Sequence, residues 1–194
     1  MFYCREKELS KLNKRYYGNE FECIVIYGRR RVGKTALINE FCKDKPAVFF
    51  SALNSSAKEN LEMLSRTIYE FKNPGADSST APVYRDFDDA FAEITRLSEN
   101  DRLIFVIDEY PYLAKADNSV SSRLQHIIDH MWSKSKLFLI LCGSSMSFME
   151  YQILFIPLRL RPRIPISLLV VLLTADLSTP VLLSHFFRYI FCRL

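Results

Sequence analysis

Apolar residues fall along this chain in short β-branched runs that alternate with stretches of helical period. From Arg5 to Tyr17, Leu9, Leu12 and Tyr16 share one face while Glu and Lys cover the rest, which predicts an amphipathic helix. Phe21 to Tyr27 is apolar and β-branched, the pattern of a strand buried on both faces. A glycine-bounded loop follows, and helical patterning runs from Lys34 to about Lys43. Ala47 to Ala52 predicts a second strand, stopped by Asn54-Ser55-Ser56. A helix over Lys58 to Phe71 breaks at Asn73-Pro74-Gly75, and residues 76–84 read as a loop. Asp86 to Leu97 predicts a helix with Phe87, Ala90, Phe91 and Ile94 inward and three acids, Asp86, Asp88 and Asp89, at its positive end. Leu103 to Ile107 is the third strand, residues 119–133 a further helix, and Leu137 to Cys142 the fourth strand. Strands alternating with helices imply an α/β fold with a parallel sheet covered on both sides.

At 194 residues, with 49% hydrophobic and 25% charged, the chain has the size and balance of one globular α/β domain. Five cysteines form no CxxC pair, and no signal-peptide pattern precedes them, so reduced thiols in a cytoplasmic protein are expected. Cys23 and Cys142 fall in apolar strands and read as core residues. The net charge of +4 loses its interest once it is located. Residues 151–194 hold five arginines against the single acid Asp176, and the first 150 residues balance. No basic field therefore argues for a nucleic-acid surface. His126 and His130, four apart on a predicted helix, lack a third metal ligand at suitable spacing and read as solvent-facing.

The chemistry begins at Gly28-Arg29-Arg30-Arg31-Val32-Gly33-Lys34-Thr35, a complete Walker A pattern between a strand and a helix. Gly28 and Gly33 let the backbone wrap so that successive N–H groups face phosphate oxygens, and the following helix aims its positive end at them. Lys34 is expected at the β- and γ-phosphates of ATP, and the Thr35 hydroxyl on Mg²⁺. Arg29, Arg30, Arg31, Val32 and Ala36 complete the expected nucleotide-binding stretch, the arginines occupying the variable positions of the loop. The apolar strand ending in Asp108-Glu109 reads as Walker B, with Asp108 a second Mg²⁺ residue and Glu109 the group that orients and polarises the attacking water. The strand ending Cys142-Gly143-Ser144-Ser145 is assigned a sensor, Ser144 first and Ser145 second, placing a hydroxyl near the γ-phosphate. Pro111 reads as a turn out of the strand.

Taken together, the segments Phe2-Tyr-Cys-Arg-Glu-Lys-Glu-Leu9, Tyr27 to Thr35, Asp108-Glu-Tyr-Pro-Tyr-Leu113 and Cys142-Gly-Ser-Ser-Met-Ser-Phe148 resemble the archaeal-type ATPase family of STAND/AAA-related P-loop proteins. The resemblance covers residues 1–150. It implies an ASCE-type P-loop NTPase sheet of order 5-1-4-3-2, with the sensor strand between the two Walker strands. It also implies that Arg5 lies near the adenine. Without an arginine finger in the pattern, a homo-oligomer, a partner protein or a further C-terminal region is expected to supply one.

From about Tyr151 the composition changes: residues 151–194 lack Lys, Glu, Gly and Asn and hold four of the eight prolines. The expectation is a P-loop ATPase domain over 1–150 and an atypical Leu/Pro/Arg-rich tail over 151–194, read as out-of-frame sequence. The fifth strand is then doubtful or missing, with residues 166–173 as a substitute. A membrane span is not expected, because Ile166 to Ala175 is too short and Pro165, Asp176 and Pro180 interrupt its extensions. The function expected is Mg²⁺-dependent ATP binding and hydrolysis. The rivals are an inactive nucleotide-binding truncation and a P-loop kinase.

Overall fold

The computed structural model describes residues 5–149 together with the backbone of residues 167–173. Four strands lie where the apolar runs predict: β1 (Glu22–Gly28), β2 (Ala47–Ser51), β3 (Ile104–Asp108) and β4 (Phe138–Gly143). A fifth, β5 (Ser167–Leu173), pairs with β1, and the sheet runs β2-β3-β4-β1-β5 with every pairing parallel. This is the expected 5-1-4-3-2 order of the P-loop NTPase fold.

The fifth strand, doubtful in the sequence, lies where its substitute over 166–173 is expected. Ser167–Leu173 runs in register beside β1, from Glu22 opposite Ser167 to Gly28 opposite Leu173. Its sequence, Ser-Leu-Leu-Val-Val-Leu-Leu, is rich in the branched apolar side chains that pleated backbone accommodates. The rest of the predicted tail, residues 151–166 and 174–194, lies outside the described residues.

Alternation along each strand divides the core in two. Ile24 and Ile26 of β1, Ile104 and Val106 of β3, and Phe138, Ile140 and Cys142 of β4 face the helices α1 (Glu6–Tyr16) and α2 (Lys34–Cys42). Leu12 of α1 is fully buried there, with Leu9 and Tyr16 packed alongside, so the predicted stripe is the docking face. Cys23, Val25, Phe105, Ile107, Leu139 and Leu141 face the other way, toward α3 (Ala57–Lys72), α4 (Phe87–Leu97), α5 (Tyr110–Ala116) and α6 (Val120–His130). Phe91, Phe105 and Trp132 meet edge-on in that layer, and the Trp132 indole donates to Thr95 Oγ1 at 2.8 Å.

The helix starts follow from local chemistry. Ser56 and Glu59 form a capping box on α3, each side chain bonded to the other's backbone N–H. At α4, Asp86 is the N-cap and accepts from Asp89 N–H at 2.9 Å. Asp88 pairs with Arg123 of α6, and Asp89 with Arg85. The acid cluster is thus a cap and its ion pairs. Among the described residues no group of three or more His, Cys, Asp or Glu is arranged to hold a metal ion, and no helix is long and apolar enough to cross a membrane.

Candidate functional site

Because β4 lies between β1 and β3, the C-terminal ends of all three strands open on one edge of the sheet. Tyr27 stands opposite Gly143, and Ile107 opposite Leu141. The loop after β1, the acids after β3 and the serines after β4 therefore meet without any long-range adjustment, as in other α/β sheets whose sites lie at strand carboxyl ends.

The loop turns on backbone conformations that glycine adopts without strain: Gly28 has φ 155° and Gly33, the N-cap of α2, has φ 83°. Arg31 also takes a positive φ, 65°. Lys34 is buried, and its Nζ donates to the carbonyls of Gly28 and Arg29, each at 3.0 Å. Thr35 Oγ1 donates to Asp108 Oδ2 at 3.0 Å, and Asp108 Oδ1 accepts from Glu109 N–H at 2.9 Å. Arg5 reaches the loop from outside, donating to the Val32 carbonyl at 3.2 Å and pairing with Glu8. Val32 itself packs against the α1/α2 core layer.

Glu109 is held in the left-handed region, φ 51° and ψ 41°, as the N-cap of α5. A non-glycine residue there costs about 1–3 kcal/mol and persists only when its surroundings over-determine it. They do: Glu109 Oε2 accepts from both the backbone N–H (3.3 Å) and the hydroxyl (3.0 Å) of Ser144. Ser144 is thus the serine that meets the carboxylate, while the carbonyl of Ser145 accepts from Met149 N–H and starts the turn 146–149. On the other side of the turn, the Tyr110 ring is buried and its hydroxyl bonds Ser121 of α6 at 2.7 Å. Burial pushes the Tyr110 phenol up to about 12, so it stays a neutral anchor.

The cleft so formed has a volume of about 320 Å³ and is lined by Arg30, Arg31, Lys34, Thr35 and Glu109, with Gly33 and Ala36 completing it. Two guanidiniums and an ammonium face one carboxylate, a balance suited to a polyphosphate anion. Thr35 lines the cleft and Asp108, buried directly behind it, bonds its hydroxyl, so two hard oxygen donors lie side by side. That donor set fits Mg²⁺, which takes one or two protein oxygens and fills its remaining positions with water and phosphate. Arg29 is exposed beside the cleft and contributes its carbonyl to Lys34. Burial, then the charge of Asp108 and a hydrogen bond to it, hold the Cys142 thiol far above its usual range, as a protonated neighbour of that carboxylate.

The resemblance can now be set against known proteins. A family model described as an ATPase domain predominantly from Archaea matches residues 2–154. The chain belongs to this archaeal ATPase family. An uncharacterised protein of Methanocaldococcus jannaschii is 34% identical over 154 residues, covering 79% of this chain and 32% of that protein. Among solved structures, the Walker-type ATPase Paby2304 of Pyrococcus abyssi is similar with a TM-score of 0.63 at 19% identity, over 88% of this chain and 54% of that one. The ORC1 protein of Aeropyrum pernix, solved in complex with DNA, gives a TM-score of 0.62 at 15% identity, over 90% and 46% of the two chains. This archaeal ATPase domain therefore spans about a third of the length of the first relative and about half of these structural neighbours.

Several contacts at the site are absent from the sequence reading. One is α5: the chain leaves β3 at Asp108, and Pro111 sits in the first turn of the helix that follows. Its missing N–H costs nothing there, and Pro after an N-cap is the signal that marks it. Another is the packing of Gly143. A Cβ at this position would lie 2.7 Å from Pro111 Cδ and 2.9 Å from Met149 Sδ. Since the Pro111 ring cannot rotate away, Gly143→Ala is expected to push the first turn of α5 off β4, costing about 1–3 kcal/mol as overpacking does. Urea denaturation followed by tryptophan fluorescence checks this, and an unchanged midpoint would show that the turn yields freely.

Proposed function

We propose that this domain binds Mg·ATP in the cleft and hydrolyses its γ-phosphate. The observation that supports it most is that Lys34, Thr35 and Glu109 line one cleft at neighbouring strand ends, with Asp108 bonded to Thr35 and Ser144 to Glu109. The loop N–H groups and the start of α2 receive the β- and γ-phosphates. Lys34 exchanges its bonds to the Gly28 and Arg29 carbonyls for phosphate oxygens. Thr35 and Asp108 would hold Mg²⁺, which would supply charge neutralisation to the phosphates. Arg5, fixed against Val32, stands at the outer side of the loop where the adenine is expected.

In the reaction, Glu109 orients a water molecule in line with the γ-phosphorus and takes its proton. The water oxygen bonds to phosphorus as the bond to the β–γ bridging oxygen breaks, and ADP leaves with that electron pair. Ser144 holds the carboxylate in its left-handed turn, so the base does not have to be ordered during the reaction. Release of ADP should be independent of any added phosphate acceptor, which separates this reading from a kinase. The DNA in the ORC1 complex is not carried over to this chain: the likeness is of fold, and the first 150 residues have no net positive charge. The free thiols of Cys23, Cys42 and Cys142 suit a reducing compartment such as the cytoplasm.

Lys34→Ala tests the binding half of this reading. Loss of a charge-assisted phosphate contact is expected to weaken binding of a fluorescent ATP analogue about a hundredfold or more, with the circular dichroism spectrum retained. Equal affinity in wild type and variant would sink the assignment.

A further inference from the structure

The three arginines of loop 28–35 are treated differently by the fold. Arg29 lends its carbonyl to Lys34, and Arg31 takes the left-handed conformation that helps the loop turn. Arg30 lines the cleft, and its guanidinium donates to the hydroxyl of Tyr112 at 2.5 Å. Tyr112 is half-buried, its ring packed against the core on the α3–α6 side of the sheet. Its backbone N–H donates to the carbonyl of Glu109 at 2.8 Å. The phenol and the carboxylate therefore belong to one turn, and Arg30 is held across the cleft to that turn from a residue 82 positions away. An exposed arginine ordinarily loses much rotamer freedom when it is fixed, and a rigid partner already in place reduces that loss at the moment of reaction.

We infer that Arg30 is a catalytic guanidinium supplied in cis, contacting the γ-phosphate oxygens where negative charge gathers during transfer, with Tyr112 as its positioning residue. The inference rests on the hydrolytic reading above. A guanidinium has five N–H donors in one plane, so Arg30 can keep one bond to Tyr112 and give others to phosphate oxygens. A lysine at this position, with a single nitrogen, cannot span both. Arg30 neither gains nor loses a proton in the step, because the water proton goes to Glu109 and the electron pair to ADP. An arginine from a second copy or a partner protein, which the sequence pattern had called for, is then not required.

The test compares full-length wild type with Arg30→Ala, Arg30→Lys and Tyr112→Phe in single-turnover ATP hydrolysis and in equilibrium binding of ADP and of ADP–aluminium fluoride. Arg30→Ala is expected to slow hydrolysis about 100- to 1,000-fold, with ADP affinity within about threefold of wild type. Arg30→Lys should recover less than about a tenth of the lost rate, and added guanidinium ion should partly restore Arg30→Ala. Tyr112→Phe should slow the reaction about three- to tenfold, since it removes the hydrogen bond and leaves the ring. Where wild-type turnover is too slow to follow, the readout is the preference for ADP–aluminium fluoride over ADP, which Arg30→Ala should cut at least about tenfold. Hydrolysis and preference both unchanged in Arg30→Ala would overturn the proposal. So would a specific activity that rises with protein concentration and survives Arg30→Ala, which would assign the guanidinium to a second copy. Lys34→Ala with wild-type nucleotide affinity would instead overturn the underlying reading of the cleft, so the two failures are distinguishable.

Discussion

Glu109→Gln is expected to bind Mg·ATP within about threefold of wild type and to hydrolyse it about 100- to 10,000-fold more slowly. The two halves of that outcome come from different atoms. The Ser144 N–H and hydroxyl both donate to Glu109 Oε2, and a glutamine carbonyl oxygen can accept the same two bonds. The bond from Glu109 N–H to Asp108 Oδ1 is backbone on one side and unaffected. Hence the left-handed turn, the Asp108–Thr35 pair and the cleft walls should persist, and nucleotide affinity with them. What is lost is a carboxylate able to take the water proton. Single-turnover hydrolysis with radiolabelled ATP, run beside equilibrium binding of the same nucleotide, separates the two effects. Should Glu109→Gln lose binding as severely as Lys34→Ala, Glu109 is a structural or metal-holding residue and its assigned role is wrong.

Much of the architecture is legible in the residues themselves, because buried parallel strands write their two-faced burial directly into composition. Apart from Glu22, Phe21 to Tyr27, Leu103 to Ile107 and Leu137 to Cys142 are apolar, and each forms its strand to within a residue. The loop is legible for a similar reason: its glycines are demanded by backbone angles, not by distant contacts. The acids ahead of α4 are legible as helix-end residues through the dipole, although the sequence could not say that Asp88 would find Arg123. What escapes is whatever depends on two elements meeting. The contacts of Arg30 with Tyr112 and of Ser144 with Glu109 join residues far apart in sequence, and no local pattern encodes either. The helix α5 escapes for another reason: a proline that turns the chain out of a strand is equally at home in the first turn of a helix. β5 is legible only as a substitute strand over 166–173, because its own residues fit a strand while the prolines and arginines around it do not.

A chain ending at residue 150, and so lacking β5, is expected to be unstable and aggregation-prone. In the intact sheet β1 is paired on both sides, with β4 and with β5, and every residue of β1 from Glu22 to Gly28 is buried. Removing β5 leaves one side of β1 as a long, flat, apolar edge, the kind that pairs with other chains. The lost ladder spans the whole of β1, and at about 1 kcal/mol net per hydrogen bond the deficit is several kcal/mol. Against a total stability of about 5–15 kcal/mol for a domain, that is enough to unfold it or to leave it marginal. β1 also delivers Gly28 to the phosphate loop, so nucleotide binding should fall with stability. Size-exclusion chromatography and thermal denaturation of the two chains check the first point, and an identical melting midpoint would show that β5 contributes nothing. Limited proteolysis with mass spectrometry, with and without Mg·ATP, then addresses the boundary expected near residue 150. If the tail is out-of-frame sequence that the domain does not use, cleavage should begin anywhere within 151–194, including between Ser167 and Leu173. Protection of 167–173 equal to that of β1 and β4 would instead make this stretch a working strand of the ATPase domain, and would move the domain boundary beyond it.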